Sequence, residues 1–317
     1  MGQLTYILRR LLILIPTALL VAMFAFFLMH LVPGSPAAVM LGDEASAETI
    51  RQLEKEMGLD KPLHIQFQRW FFGVLRGNLG ESIFLDEPVT KLVMRAAVPS
   101  FLVATLGTLI SLSIGLSTGV IAAVKKDSLI DQISLTSALL GASIPSFWLG
   151  LNLILLFAVI LRLLPTSGYR SLLGPGNIAN LKYLILPAIA VGFPNSALIT
   201  RLTRSAMLDE LGKEFITTAR AKGARESVVI IKHALKNAAI PVVTVVGITM
   251  MNIMSKAVVT ENVFRIPGLG RLIVSSITRR DYPTIQGILL VVAGLYILVN
   301  LLTDITYSFL DPRIRYD

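Results

Sequence analysis

Long runs of apolar residues without a charged side chain dominate the pattern of this chain. An α-helix rises 1.5 Å per residue, so a bilayer core about 30 Å thick requires about 20 such residues. Six stretches come close to or exceed this length. They cover residues 11–32, 97–124, 133–161, 183–200, 238–255 and 283–303. The pattern therefore predicts an all-α integral membrane protein with six transmembrane helices.

Two of these stretches, 97–124 and 133–161, are longer than a bilayer requires. Each leaves room for a break or for an interfacial helix. Prolines also fall inside the predicted spans, as they do in the broken helices of transporters, although membrane helices tolerate proline in general. These prolines are Pro145, Pro187, Pro194 and Pro241.

Composition and charge agree with a membrane protein. Of 317 residues, 54% are hydrophobic and 15% are charged, whereas soluble domains carry about 25% charged residues. The net charge of +9 fits cationic helix flanks at a membrane surface better than a nucleic-acid partner. Lys and Arg are more frequent in the short segments on the side of the N-terminus, which predicts that both termini are cytoplasmic. The absence of cysteine excludes disulfides, thiolate metal sites and cysteine nucleophiles.

The first long polar segment, residues 33–96, is predicted to lie outside the cytoplasm. Ser46 is a candidate N-cap and Gly58 a candidate C-cap of one helix. After Pro62, a second stretch with aromatic, aliphatic and basic residues continues to Gly77. Such a stripe lies in a membrane interface or packs on a neighbouring helix; the alternative is a docking surface for a soluble partner.

The second long polar segment, residues 201–237, is predicted to be cytoplasmic. Its apolar positions have helical spacing on both sides of Gly223, which predicts a helix, a glycine break and another helix. Apolar residues such as Ile216 and Val229 need cover in a cytoplasmic loop. Either the helix ends of the chain itself or a partner must supply it.

One sequence resembles a catalytic motif. Residues 115–119 match the G-x-S-x-G pattern of serine hydrolases around Ser117, but that motif needs a strand-to-helix turn and a nearby histidine. Here Ser117 lies inside a predicted span among small residues, which favours close helix packing. No histidine falls in the middle of a span; the histidines are His30, His64 and His233.

No other catalytic or metal-binding pattern is present, and the chain has no phosphate-binding loop. If ATP drives its activity, the ATPase is on another chain. A secondary transporter or channel would need an ion-coupling site, and no ionisable residue lies in the middle of a predicted span. Asn195 and Asn252 are candidates to line a polar pathway, with interhelical hydrogen bonds as the alternative role.

Residues 217–223 (Thr-Thr-Ala-Arg-Ala-Lys-Gly) and 233–242 resemble the EAA loop of ABC-importer permeases in the form of the dipeptide, oligopeptide and nickel branch. The resemblance extends over nearly the whole chain. Further matching motifs occupy residues 7–11, 31–36, 58–62, 78–82, 267–271, 280–283 and 311–315. Thr217 and Thr218 replace the Glu-Ala of the generic motif, and Lys256 and Arg265 depart from the pattern near the outer mouth.

The resemblance implies a type I importer permease in a bacterial cytoplasmic membrane. Its expected partners are a second homologous permease, one or two ABC ATPases and an extracytoplasmic substrate-binding protein. No cofactor is expected on this chain, with ATP and Mg²⁺ bound by the ATPases. The expected regions are an N-terminal span (1–32), an extracytoplasmic segment (33–96), a core (97–304) that includes the coupling loop (201–237), and a cytoplasmic tail (305–317).

The EAA loop of such permeases forms a coupling helix that sits in a cleft of the ATPase. The residues implied in coupling are Thr217, Thr218, Ala219, Arg220, Lys222, Gly223 and Arg225. A dipeptide, a longer peptide, a glutathione-like peptide and nickel all remain open as the substrate.

Overall fold

The protein is described by a computed structural model that covers residues 3–31, 35–41, 45–171 and 177–310. The chain divides into two compact units. The N-terminal unit comprises Gly2–Val98 and Gly268–Leu298, and the core unit comprises Pro99–Pro267 and Val299–Asp317. The described residues form helices without a β-strand, which confirms the all-α class. The predicted motif at 311–315 and the rest of the tail beyond it lie outside the described residues.

The helices follow one another in this order: α1 (Gln3–Leu31), α2 (Pro36–Leu41), α3 (Ala47–Met57), α4 (Leu63–Leu75), α5 (Val89–Val124), α6 (Leu129–Ser143), α7 (Ser146–Leu153), α8 (Asn177–Asn180), α9 (Lys182–Leu211), α10 (Glu214–Ala221), α11 (Glu226–Val228), α12 (Lys236–Val263), α13 (Leu269–Thr278) and α14 (Tyr282–Leu310). Two π-helical segments extend this framework. Ile154–Ile160 continues α7, and Val229–Leu235 joins α11 to α12.

Among the described residues, four helices are long and apolar enough to cross a membrane: α5, α9, α14 and the continuous helix from α11 to α12. Helices α6 and α7 form a fifth candidate as a pair bent by 97°. The predicted break within 133–161 is therefore confirmed, whereas 97–124 lies in the uninterrupted α5. Helix α1 contains the apolar stretch Leu12–Leu28. The count of six spans and the cytoplasmic termini stay predictions.

The bend between α6 and α7 occurs at Pro145. The preceding residue, Ile144, has extended backbone angles, because the proline ring disfavours the helical conformation of the residue before it. Pro145 itself is the N-cap of α7. Pro187 and Pro194 lie inside α9 and Pro241 inside α12, so these three prolines do not break their helices.

In the N-terminal unit, the predicted caps of α3 are confirmed. The Ser46 side chain accepts a hydrogen bond from the Thr49 amide, and Gly58 has the left-handed conformation. Helix α4 packs on α1 through aromatic rings: Phe26 lies 5.3 Å from Phe67 and 5.6 Å from Trp70, measured between ring centroids. The apolar stripe of α4 thus covers a neighbouring helix, one of the two roles that the sequence left open.

Two of the recognised motifs, 78–82 and 280–283, meet in this unit. The Asp281 carboxylate is buried and accepts hydrogen bonds from the hydroxyls of Ser82, at 2.5 Å, and Thr284, at 2.8 Å. Asp281 precedes the first residue of α14, where a carboxylate satisfies amide groups at the helix N-terminus. The motifs therefore fix the start of a spanning helix against the segment that follows α4.

In the core unit, α5 and α9 come together along a row of small residues. Gly107, Ser111, Gly115 and Gly119 are spaced four residues apart on α5, which places them on one helix face. The Ser111 hydroxyl donates to the Gly192 carbonyl of α9 at 2.6 Å. A Cβ on Gly115 would lie 2.5 Å from the Ile199 Cβ. This face, which we call the small-residue seam, permits an approach that side chains would block.

We expect Gly192→Ala to destabilise the protein by about 1–3 kcal/mol, the usual cost of overpacking. A Cβ at this position would lie 2.6 Å from the Gly107 carbonyl oxygen, which belongs to the backbone and cannot rotate away. Unfolding of the purified protein in detergent measures the effect. The matched control is Gly294→Ala in α14, where nothing lies within 4 Å of the added Cβ. Equal stability of the two variants would contradict the close packing of α5 against α9 along the small-residue seam.

Candidate coupling segment

Helix α10 begins immediately after the long helix α9. Helix α9 ends at Leu211 and α10 starts at Glu214, with Lys213 as its extended N-cap. Glu214 lies in the first turn of α10 and Arg220 in the last, so each charge interacts favourably with the helix dipole. We call residues 214–231, which include α10, the Gly223 turn and α11, the coupling segment. A helix, a glycine break and another helix were predicted here, and this order is confirmed.

The inner face of the coupling segment is covered by the chain itself. Ile216 and Val229 are both fully buried. They share a cluster with Met207 of α9, Ala123 of α5 and Ala238 of α12. Of the two sources of cover that the sequence allowed, the helix ends of the chain supply it. This cluster joins α10 to the ends of three long helices.

Gly223 ends α10 in the left-handed conformation, with φ +77°. Its amide donates to the Arg220 carbonyl, and the Ala224 amide donates to the Ala219 carbonyl. This pair of bonds is a Schellman cap, which turns the chain sharply out of a helix. Nothing lies within 4 Å of a Cβ built on Gly223. The glycine is therefore required by its backbone conformation and leaves open space beside the turn.

An ion pair closes the same turn. Arg220 donates to both carboxylate oxygens of Glu226, at 3.1 and 2.7 Å. Both side chains are about half exposed, at 46% and 55%, so solvent screens their attraction. The hydrogen bond to Glu226 raises the pKa of Arg220 above its ordinary value. The pair clips α10 to α11 across Gly223.

The remaining residues predicted for coupling divide by exposure. Ala219 is half-buried against the cluster of the chain itself. Thr218 is exposed, and its hydroxyl donates to the Glu214 carbonyl within α10. The others are also exposed: Thr217, Lys222 and Arg225.

The exposed face also carries apolar residues. Phe215 is 38% exposed, Val228 39% and Ile231 64%. They alternate along the chain with buried apolar positions, so the periodicity marked all of them as helical but did not separate the two faces. The outer face of the coupling segment thus combines apolar side chains with the cations Lys222 and Arg225.

The two residues predicted to line a polar pathway lie on different helices, Asn195 on α9 and Asn252 on α12. Asn195 is half-buried, and its amide donates to the Val191 carbonyl of the same helix at 2.7 Å. This hydrogen bond stays within α9 and does not join two helices. Asn252 is exposed on α12.

The hydrolase pattern has no catalytic geometry. Ser117 lies within α5, and its hydroxyl donates to the Ser113 carbonyl one turn earlier. The two glycines of the pattern belong to the small-residue seam. Among the described residues, no group of three or more His, Asp or Glu side chains is arranged to hold a metal ion.

A buried ion pair was missed by the sequence analysis. Arg204 of α9 donates to both carboxylate oxygens of Asp131 of α6, each at 2.6 Å. The Asp131 side chain is 4% exposed and that of Arg204 21%. Both residues lie just beyond the apolar stretches 133–161 and 183–200, where a charged side chain is ordinarily a solvated flank. Glu261 of α12 is likewise fully buried and accepts a hydrogen bond from Ser100.

Comparison with known families agrees with this architecture. Residues 115–316 match the model of the binding-protein-dependent transport system inner membrane component, and residues 3–95 match the N-terminal model of the same systems. The chain belongs to this family of transport permeases. It is accordingly a protein of the bacterial inner membrane.

Relatives of the permease extend over its whole length. A protein of Sinorhizobium fredii described as a probable peptide ABC transporter permease is 42% identical, over 98% of this chain and 99% of that protein. The glutathione transport system permease of Salmonella paratyphi A is 39% identical, over 99% and 100%. The dipeptide transport system permease of Alkalihalophilus pseudofirmus is also 39% identical, over 99% and 100%.

Among solved structures, an inward-facing conformation of the MetNI methionine ABC transporter is similar to the permease. The TM-score is 0.58 at 19% identity, and the match covers 72% of this chain and 100% of that chain. This likeness supports the type I permease fold.

We expect Asp131→Asn to destabilise the permease by about 3 kcal/mol, since it leaves a largely buried guanidinium without its counter-ion. Glu226→Gln removes a carboxylate from an equally bidentate pair that is exposed, and its effect should be much smaller. Unfolding in detergent compares the two variants. A loss of stability in Glu226→Gln as large as that in Asp131→Asn would contradict the assigned difference in burial.

Proposed function

We propose that this permease is the membrane subunit of an ATP-driven importer and that its coupling segment transmits movement from a separate ATPase. The observation that carries the proposal is the division of this segment into two faces. Its inner face is fully covered by the ends of α5, α9 and α12, whereas its outer face exposes apolar side chains beside cations. Such an outer face fits a cleft on a soluble protein.

The way in which the segment is attached supports a mechanical role. Helix α10 follows α9 after two residues, and its buried side chain Ile216 packs with Met207 of α9 and Ala123 of α5. A packed cluster transmits displacement because it cannot be compressed. We infer that approach of two ATPases would move two coupling segments together and switch the pathway between its two openings. This is alternating access by rigid-body motion.

The complete importer would contain a second homologous permease, one or two ATPases and an extracytoplasmic binding protein. ATP and Mg²⁺ would bind to the ATPases, and this chain would bind no nucleotide and catalyse no reaction. For the substrate we propose a short peptide, because relatives of near-full coverage are named for peptide, dipeptide and glutathione transport. A permease for nickel is the alternative.

We expect Gly223→Val to insert normally in the membrane and to retain ATPase activity of the assembled importer, but to lose uptake. A β-branched residue disfavours the left-handed conformation that ends α10. The matched variant is Gly223→Asn, because asparagine tolerates this conformation. It should retain most of the uptake.

Uptake of labelled dipeptide and ATP hydrolysis are measured in proteoliposomes that contain the whole importer. Wild-type uptake by Gly223→Val would contradict the coupling role of the turn. Equal loss of uptake in both variants would show that the glycine is needed for something other than its backbone conformation. Affinity purification of the tagged wild-type chain should recover the ATPases and the second permease.

A further inference from the structure

A cavity of about 550 Å³ lies within the N-terminal unit. One wall contains Phe26, near the end of α1, and another contains Gln286, near the start of α14. The first of these apolar helices ends at the level where the second begins. Because α1 is predicted to end and α14 to begin outside the cytoplasm, we infer that the cavity lies near the outer boundary of the membrane. Its volume falls in the usual range for small-ligand sites.

Two charged side chains of opposite sign line this cavity, Arg69 of α4 and Glu81. Within the described part of the chain, neither forms an ion pair or a side-chain hydrogen bond. Among the lining amides, Gln66 donates to the Leu59 and Lys61 carbonyls, Gln286 donates to the Ala25 carbonyl, and the Asn78 Oδ1 accepts from the Gly80 amide. Both residues are exposed, so water hydrates the guanidinium and the carboxylate, and polar groups of a ligand can replace that water.

The Arg69 guanidinium lies beside the turn that ends α3. A Cβ on Gly58 would lie 3.4 Å from Nη1 of Arg69. Gly58 is the left-handed C-cap of α3, and this conformation is the reason that the position favours glycine. Arg69 therefore lies next to Gly58, which has no side chain, and both residues line the cavity.

The aromatic wall matches a membrane boundary. Phe26 and Trp70 line the cavity with their ring centroids 5.6 Å apart. Tryptophan is enriched at the level of lipid headgroups, where its ring is partly apolar and its N–H remains polar. Along α1, the neighbouring residues Phe24 and Leu20 are 61% and 66% exposed. They offer an apolar surface that acyl chains can cover.

We propose that this cavity binds the zwitterionic headgroup of an aminophospholipid such as phosphatidylethanolamine. The guanidinium of Arg69 would donate to the phosphate oxygens, a pairing that its planar donors favour. The carboxylate of Glu81 would accept hydrogen bonds from the ammonium group. The acyl chains would follow the exposed surface of α1. This site is independent of substrate transport and of the coupling segment.

The tryptophans of the chain offer a direct readout. The chain has two tryptophans: Trp70 lines the cavity, and Trp148 lies on α7 in the core unit. In a Trp148→Phe background, fluorescence of the full-length permease in detergent therefore reports on the cavity wall. The probes are dioctanoyl phosphatidylethanolamine, dioctanoyl phosphatidylglycerol, which lacks the ammonium, and dialanine. Native mass spectrometry counts the bound lipid independently.

We expect a saturable change in Trp70 emission with phosphatidylethanolamine and one bound lipid per chain. Arg69→Gln and Glu81→Gln should each weaken binding about tenfold, as the loss of one charged hydrogen bond implies. Phosphatidylglycerol should bind the wild type about as weakly as phosphatidylethanolamine binds Glu81→Gln. The control is Arg76→Gln, at the exposed end of the same helix and outside the cavity, which should leave affinity unchanged.

Three outcomes would overturn the proposal. They are the absence of bound lipid by both methods, equal affinity for the two lipids, and displacement of the lipid by dialanine. The last result would identify the cavity as a peptide site. Failure of the import assays leaves the lipid measurement interpretable, because lipid binding is measured on the permease alone.

Discussion

The close approach of α5 and α9 is the constraint on which the core unit depends. A Cβ on Gly192 would lie 2.6 Å from the Gly107 carbonyl oxygen, and a Cβ on Gly107 would lie 2.7 Å from the Val191 Cγ2, so neither glycine has room for a side chain. In a membrane, helices gain little from burying apolar surface, because the lipid is itself apolar. Contact between backbones and the hydrogen bond from Ser111 to the Gly192 carbonyl hold this pair together instead. Helices α6, α7 and α12 then pack around α9.

The coupling segment is held in place by its packing against α5, α9 and α12. Helix α9 continues as a single helix from the seam to Leu211, and the cluster around Ile216 ties α10 to its end. The buried Asp131–Arg204 pair fixes α6 to the same helix just above this cluster. The parts that would meet an ATPase are thereby joined to the parts that would line a pathway. No flexible linker separates them along α9.

Periodicity predicted most of this fold, because apolar runs and the caps at Ser46 and Gly58 depend on local chemistry alone. It did not predict which side of the coupling segment is buried, since Ile216 and Ile231 differ only in what packs against them. The buried charges were missed for a related reason. Asp131 and Arg204 lie beyond the apolar runs, and only the tertiary structure brings them together. The predicted helix break at Gly223 was confirmed, because a left-handed C-cap is encoded by one residue.

The most direct test of the account is site-directed cross-linking, since the chain contains no cysteine. Lys222→Cys places a single thiol on the outer face of the coupling segment, and Arg279→Cys places one on the exposed end of α13, which is predicted to face the other side of the membrane. A short thiol cross-linker in membranes that contain the whole importer should join the first variant, and not the second, to an ATPase subunit. Cross-linking of Arg279→Cys to the ATPase, or of neither variant, would contradict the coupling role of this segment.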